Sequence, residues 1–150
     1  VVPRLVRDPK PADQSFEPLK VAPRHLRLVL DGMERVVNGK RGTARAVPRN
    51  SDSFKFGGKS GSVQVKRISR TERLAGKIKN EDRPWRDRDH AIFVAYAPLE
   101  APRYAVSVVV EHGGSGSSMA APIARDILAE TMRLDPARVA AASSEPSEDT

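Results

Sequence analysis

The amino-acid sequence predicts an α+β fold in which three antiparallel strands lie between a helix on the N-terminal side and a C-terminal helix. Three observations carry this prediction: an amphipathic helical pattern after Pro23, apolar segments over residues 90–97 and 103–111 joined by a short connection, and a second helical pattern ending near Arg133. The chain has 150 residues, the length of one ordinary domain. By size scaling it can bury roughly 70% of its unfolded surface, so a sizeable core is possible.

The first helix is predicted from its start signal and its periodicity. Residues 1–22 are rich in proline and lack periodicity, so we expect an extended connector there. Pro23 then begins the helix, because proline is favoured at the first helical position, and Asn38-Gly39 ends it as a cap pair. The apolar residues of the predicted inward face are Leu26, Val29, Leu30, Met33, Val36 and Val37.

A loop and the first strand follow. Residues 40–56 are polar and predict a loop. After Gly57-Gly58, Val63 and Val65 alternate with polar residues, which is typical of a half-buried strand. Residues 68–89 are highly charged and predict a long excursion with a short helix near residues 71–77.

The next two strands are apolar on both faces. Residues 90–97 and 103–111 are each apolar at odd and even positions, which predicts that both faces of the sheet are covered. Residues 98–102 predict a hairpin connection. The last strand has no later partner, so we expect a strand from upstream to pair with its free edge.

The second helix follows a glycine-rich turn. Ser117 or Ser118 can cap it, and it ends near Arg133. Small side chains let it lie close to the sheet, namely Ala120, Ala121, Ala124 and Ala129. The larger side chains expected to point inward are Ile123, Ile127, Leu128 and Met132. Residues 134–150 predict a disordered tail.

Charge and composition limit the classes of partner. The net charge is +7, with +12 on residues 1–88 (22 basic, 10 acidic) and −5 on residues 89–150 (4 basic, 9 acidic). The basic half favours an anionic partner or is simply a solvated surface. Its basic residues are scattered without an aromatic platform, which argues against nucleic acid. The chain has no cysteine, so a disulfide scaffold, a thiolate metal site and a thiol nucleophile are excluded.

A four-residue box and several ordered segments point to a family. Lys59-Ser60-Gly61-Ser62 resembles the K-[ST]-G-[ST] box of penicillin-recognising serine enzymes, a weak signal when taken alone. Other segments match in the same order, and together the chain resembles the elongation-type class B penicillin-binding proteins, the penicillin-binding protein 2 group. The matching segments are Val2–Val6, Asp31–Asn38, Gly42–Ala44, Lys59–Val65, Arg88–Pro98 and Val108–Gly114.

The resemblance implies a peptidoglycan D,D-transpeptidase with the serine β-lactamase/D,D-transpeptidase fold. Residues 23–133 would form the C-terminal portion of its transpeptidase domain, with a sheet that is incomplete in this chain. Such enzymes work on the periplasmic face of the bacterial inner membrane, cross-link stem peptides during elongation and are acylated by β-lactams. It also implies an elongation-complex glycosyltransferase as a partner, and neither a cofactor nor a metal.

The resemblance also implies roles for the box residues. Lys59 is a cation beside the site that holds the C-terminal carboxylate of the substrate, and the hydroxyls of Ser60 and Ser62 can donate to that carboxylate. The backbone N–H of Ser62 would be one half of an oxyanion hole. Strand alternation puts Lys59 and Ser60 on opposite faces, so the site must follow the edge of the strand, where Gly61 permits close approach.

The chain departs from the family pattern at the nucleophile. No serine has a lysine three residues later, and none has an asparagine two residues later, so both the S-x-x-K and S-x-N motifs are absent. We expect these motifs and the membrane anchor to precede Val1 in a full-length protein, and this chain to be inactive alone. Ser62 stands where threonine is usual, and Val63 where alanine is usual.

Other candidate residues keep structural alternatives. Asp89-His90 could form a base–orienter pair, although a hydrogen-bonded structural histidine is the better interpretation. The dispersed histidines do not predict a metal site. Thr43 could contact the site or cap a turn. The alternative function is a non-catalytic basic module that binds an anionic polymer.

Overall fold

The computed structural model describes residues 19–47, 54–74, 76 and 79–135, and within them the predicted α+β architecture is confirmed. The strands β1 (Gly57–Val63), β2 (His90–Ala97) and β3 (Tyr104–Val110) pair antiparallel in that order. None of the helices in these segments combines the length and the apolar character that a membrane crossing requires. The helices and strands, in chain order, are α1 (Pro23–Asn38), β1 (Gly57–Val63), α2 (Arg70–Leu74), β2 (His90–Ala97), β3 (Tyr104–Val110) and α3 (Ala121–Arg133).

The two faces of the sheet are covered to different extents. Phe93 pairs with Ser60 and Val108, and this face, here called the closed face, is buried under α3. Val94 pairs with Lys59 on the opposite face, here called the open face. Val94 is 38% exposed and Val109, on the same open face, is 58% exposed. The prediction that both faces are covered is therefore met only in part within the described residues: α3 covers the closed face, whereas on the open face α1 covers Tyr96 at one end and leaves Val94 and Val109 exposed.

Small residues bring α3 close to the sheet. The helix follows a π-helical turn over Gly116–Ala120, and neither turn nor helix has a side-chain cap, so the predicted serine cap is wrong. Ile123 is 42% exposed and Ile127 is 44% exposed, so their predicted inward position is also wrong. Alanines occupy the contact with the sheet and leave both isoleucines on the flank. The buried residues of this segment include Ala120, Ala121, Ala124, Leu128 and Met132.

Helix α1 begins and ends where the sequence predicts, but Val37, near its end, is its one buried residue. Leu26 and Val29 are exposed, whereas Val37 is buried in the core. Gly39 has an extended backbone rather than the left-handed conformation of a glycine cap. Instead, the Asn38 side-chain amide donates to the carbonyl oxygen of Phe56 at 3.0 Å, which ties the end of α1 to the start of β1.

The buried end of β1 is its glycine pair. A Cβ atom added at Gly57 would lie 2.7 Å from the Tyr96 ring, and one added at Gly58 would lie 2.5 Å from the Phe93 ring. These rings therefore leave no room for a side chain at either glycine. The predicted strand is confirmed as β1, but it ends at Val63, and Val63 and Val65 are 45% and 43% exposed, so the prediction that these valines are its buried residues is wrong. The pairing partners of β1, rather than its valines, decide which end is buried.

The predicted connector and tail fall largely outside the described residues. Residues 1–18 and 136–150 belong to these outer parts. Asp135, from the start of the predicted tail, lies within the described residues and is buried. Its carboxylate accepts a hydrogen bond from the Arg103 guanidinium at 2.6 Å. This ion pair fixes the end of α3 to the start of β3.

Candidate functional site

The box residues lie on the edge strand of the sheet. Within the described residues, β1 pairs with β2 on one side and with no strand on the other. Lys59 and Ser60 lie on opposite faces, as predicted, since their partners are Val94 and Phe93. The Lys59 ammonium is exposed and donates to the carbonyl oxygen of Ser60 at 2.5 Å. The box is therefore a strip along a free strand edge, with its cation on the open face.

Thr43 lies beside the box. Its hydroxyl oxygen is 3.1 Å from the hydroxyl oxygen of Ser60. The turn that carries Thr43 folds back onto the end of α1, where the Ala44 N–H donates to the Val36 carbonyl at 3.0 Å. A Cβ atom at Gly42 would lie 2.2 Å from that carbonyl oxygen, so glycine is required for the close approach. Of the two roles open to Thr43 in the sequence, the structure favours contact with the box.

The hydrogen bond between Thr43 and Ser60 can form with either hydroxyl as donor, and one of these two arrangements leaves the Ser60 proton available to a ligand. A hydroxyl donates one hydrogen bond and can accept two. When Thr43 donates to Ser60, the Ser60 proton is free to donate to a substrate oxygen. Thr43 therefore acts as a partner that can orient the Ser60 hydroxyl toward an anion.

Ser62 is held by the turn that precedes α3. Its hydroxyl donates to the carbonyl oxygen of Gly114 at 2.9 Å, so its proton is committed to the protein. Gly114 has a φ of +77°, a backbone conformation that favours glycine. Its N–H donates to the backbone carbonyl oxygen of Asp89 at 2.8 Å. With the hydroxyl engaged, the backbone N–H of Ser62 remains the group of this residue to consider for oxyanion binding.

The close backbone approach at this site is made by Gly116. A Cβ atom there would lie 2.2 Å from the Ile92 carbonyl oxygen and 2.4 Å from the Gly61 carbonyl oxygen. A Cβ atom at Gly61 would meet Ile92 at 3.6 Å, an ordinary contact. Sequence reasoning missed this role of Gly116, although a glycine placed directly before a helix was a usable signal.

The histidines form a structural cluster. The backbone N–H of His112 donates to Nδ1 of His90 at 2.8 Å, and the rings of Trp85 and His112 lie 4.1 Å apart. Asp89 pairs with Arg83 at 3.1 Å, so the structural interpretation of His90 is confirmed over the base–orienter pair. Across the described segments, no three His, Cys, Asp or Glu side chains come together in a way that could hold a metal ion.

A cleft of about 400 Å³ opens next to Thr43. Arg35 and two residues of the following turn, Lys40 and Arg41, bring three positive charges to its walls. None of the three forms an ion pair with a carboxylate of the described segments. The other lining residues are Gly32, Val36, Gly39, Gly42 and Thr43.

The chain is similar to known transpeptidases in sequence. Residues 2–129 match the family model of the penicillin-binding protein transpeptidase domain. The peptidoglycan D,D-transpeptidase MrdA of Haemophilus influenzae is 39% identical over 98 residues, which are 65% of this chain and 14% of the relative. The enzyme of the same name from Escherichia coli is 35% identical over 109 residues, 72% of this chain and 16% of the relative. The chain thus spans about one seventh of the length of these relatives.

Solved structures show the same likeness. PBP2 of Pseudomonas aeruginosa, in complex with WCK 5153, superposes with a TM-score of 0.56 and 35% identity, covering 87% of this chain and 24% of that one. PBP2 of Helicobacter pylori, in complex with MreC, gives a TM-score of 0.56 and 30% identity over 74% of this chain and 18% of that one.

Proposed function

The chain belongs to the penicillin-binding protein transpeptidase family, and on that premise we propose that it supplies the substrate-binding edge strand of a serine peptidoglycan D,D-transpeptidase. In that reaction a serine takes the acyl group of a donor stem peptide and releases its terminal residue, and an amine of an acceptor stem peptide then takes the acyl group. β-Lactams acylate the same serine. The observation that carries the proposal is the Lys59–Ser62 box on the free edge of β1.

Each box residue has a distinct role in the proposal. The Lys59 ammonium attracts the C-terminal carboxylate of the donor, and Ser60, oriented by Thr43, donates a hydrogen bond to it. The Ser62 backbone N–H donates to the oxyanion; a donor of this kind typically contributes about 10²–10³ in rate. Gly61 keeps the strand edge free of a side chain where the substrate approaches.

The nucleophile has to come from outside this sequence, which contains no S-x-x-K motif. We therefore expect the chain alone to form no covalent adduct with penicillin. The test is incubation of the purified chain with a fluorescent penicillin, followed by a denaturing gel. A labelled band at 16.4 kDa would contradict the expectation, and a penicillin-binding protein with its own serine serves as the positive control.

Substitution of Lys59 tests the proposed role of the box. In a protein that joins this chain to an S-x-x-K serine, Lys59→Ala should slow acylation by penicillin at least tenfold, because one charge-assisted contact is lost. Lys66→Ala is the matched control, since Lys66 pairs with Asp87 at 3.5 Å instead. Equal second-order acylation rates for Lys59→Ala and the unsubstituted protein would refute the assignment.

Cellular context follows from the same proposal. An enzyme that cross-links stem peptides works where peptidoglycan is assembled, so we place it on the periplasmic face of the bacterial inner membrane. An elongation-complex glycosyltransferase, which supplies the glycan strands, is the proposed protein partner. The complex of the Helicobacter pylori relative with MreC supports assembly with further proteins.

A further inference from the structure

We propose that the cleft beside Thr43 binds a carboxylate of the acceptor stem peptide. This inference rests on the proposed function, because the roles of Ser60 and Ser62 orient the donor peptide. It adds a binding site, formed by the end of α1 and the turn after it, to the donor site on β1.

The direction of the donor peptide places the acceptor at the cleft. If Ser62 holds the oxyanion and Ser60 the C-terminal carboxylate, the leaving residue extends from Ser62 toward Ser60. The Thr43 hydroxyl lies 3.1 Å from the Ser60 hydroxyl, and Thr43 also lines the cleft. The cleft therefore adjoins the group that holds the leaving residue, and the incoming amine has to reach the acyl group where that residue departs.

The chemistry of the cleft fits an aliphatic arm that ends in a carboxylate. Gly32 and Val36 line it, and so do Arg35, Lys40 and Arg41, which have no carboxylate partner in the described segments. A cation in the last turn of a helix, such as Arg35, offsets the helix dipole and needs no ligand. That explanation accounts for the charge but not for the open space.

Gly32 is the second observation that points to a ligand. A glycine inside a helix lowers helix stability relative to alanine, and packing usually explains it. Here a Cβ atom at Gly32 would have no neighbouring atom within 4 Å, so packing does not require glycine. A side chain at this position would instead fill the cleft. The absence of a side chain at Gly32 keeps the space free for a bound group.

Binding to the complete chain tests the inference directly. The probe is a short stem peptide whose acceptor residue has a free amine and a free carboxylate, compared with the same peptide amidated at that carboxylate. The measurement is the shift of backbone amide resonances in the ¹⁵N-labelled chain. We expect the free acid to shift residues 39–43, to bind about tenfold more tightly than the amide, and to weaken as salt is added.

Three variants separate the cleft from general electrostatics. The double substitution Lys40→Gln and Arg41→Gln should weaken binding of the free acid about tenfold. Gly32→Leu should abolish it, since leucine is a good helix former that occupies the cleft without a clash at Cβ. Arg27→Gln removes one charge from the same helix outside the cleft and should leave binding unchanged.

The outcomes distinguish this inference from the proposed function. A D-alanyl-D-alanine peptide should shift residues 60–62, and failure of that shift counts against the proposed function. Equal binding of the acid and the amide, or undiminished binding by the folded Gly32→Leu variant, overturns the acceptor site while leaving the box intact. Tighter binding of a sulfated polysaccharide through Lys40 and Arg41 also overturns it, in favour of an anionic-polymer surface.

Discussion

The closed and open faces of one sheet differ in how far their side chains are buried. On the closed face, Phe93 and Val108 are buried against Leu128 of α3. On the open face, the equivalent positions Val94 and Val109 are exposed, and Lys59 extends from the same side. Strand β2 contributes to both faces, so its alternation separates the side chains buried under α3 from the side chains that remain exposed. The stability of this part of the fold therefore depends mainly on one face of the strand.

The largest expected effect on stability comes from a substitution on the closed face. Phe93→Ala should lower the free energy of unfolding by about 3–5 kcal/mol, because it removes a fully buried ring from the core. Val94→Ala, one residue away on the open face, should cost about 1 kcal/mol or less. Urea denaturation monitored by circular dichroism measures both. Similar losses for the two variants would contradict the division between the faces.

A second test concerns two glycines with opposite surroundings. Gly116→Ala should destabilise the chain by about 1–3 kcal/mol, because its Cβ would overlap carbonyl oxygens of β1 and β2. Gly32→Ala should stabilise it by about 0.5–1 kcal/mol, since the Cβ meets nothing and helix propensity improves. Thermal melts of both variants check the signs. If Gly32→Ala also destabilises the chain, the space around Gly32 is not open.

A third test compares the two edges of the sheet. Within the described residues, both β1 and β3 have an unpaired edge, but β3 is rich in valine and β1 is rich in glycine and serine. We expect the isolated chain to self-associate through β3. Val109→Lys should weaken association about tenfold, or roughly 1.4 kcal/mol, whereas Val63→Lys on β1 should not. Size-exclusion chromatography with light scattering measures this; a monodisperse monomer of the unsubstituted chain would refute it.

The smallest expected effect is a pH dependence at Tyr96, which lies on the open face but is covered by α1. Burial raises the pKa of its phenol, and the nearby carboxylates of Glu34 and Asp31 raise it further. A raised pKa means that the folded chain holds the proton more tightly, so stability is lost as the pH rises above about 10.

Tyr96→Phe is the matched variant for this pH effect. It should remove this contribution to the alkaline loss, and at neutral pH it should cost about 0.5–1.5 kcal/mol through the lost hydrogen bond to the Leu30 carbonyl. Urea titrations at pH 8 and pH 11 measure both effects. An unchanged alkaline loss in the variant would assign it to other groups.

Local sequence signals predicted the helices and strands well. They could not predict which side chains are buried, because burial depends on tertiary contacts. The bounds of α1 and β2 follow from Pro23 and from an unbroken apolar run, both readable along the chain. Burial of Ile123 and Val63 was mispredicted, because exposure depends on which neighbour covers a residue. The Thr43–Ser60 contact joins positions 17 residues apart, and no local pattern encodes that distance. The box itself was visible only because a short motif and its ordered context occur together.

The excursion between β1 and β2 has a consequence for how this region can vary in length. Val63 pairs with His90, so residues 64–89 leave and rejoin the sheet at neighbouring points. A hydrogen bond within the excursion stabilises the end that rejoins the sheet: the Asn80 side-chain oxygen accepts from the Asp89 N–H at 2.8 Å. Loop-closure entropy changes by only about 0.6 kcal/mol for each doubling of length. Changes in length between Val65 and Lys79 would therefore cost little closure entropy, which lets this segment vary in length while the register of the box strand stays fixed.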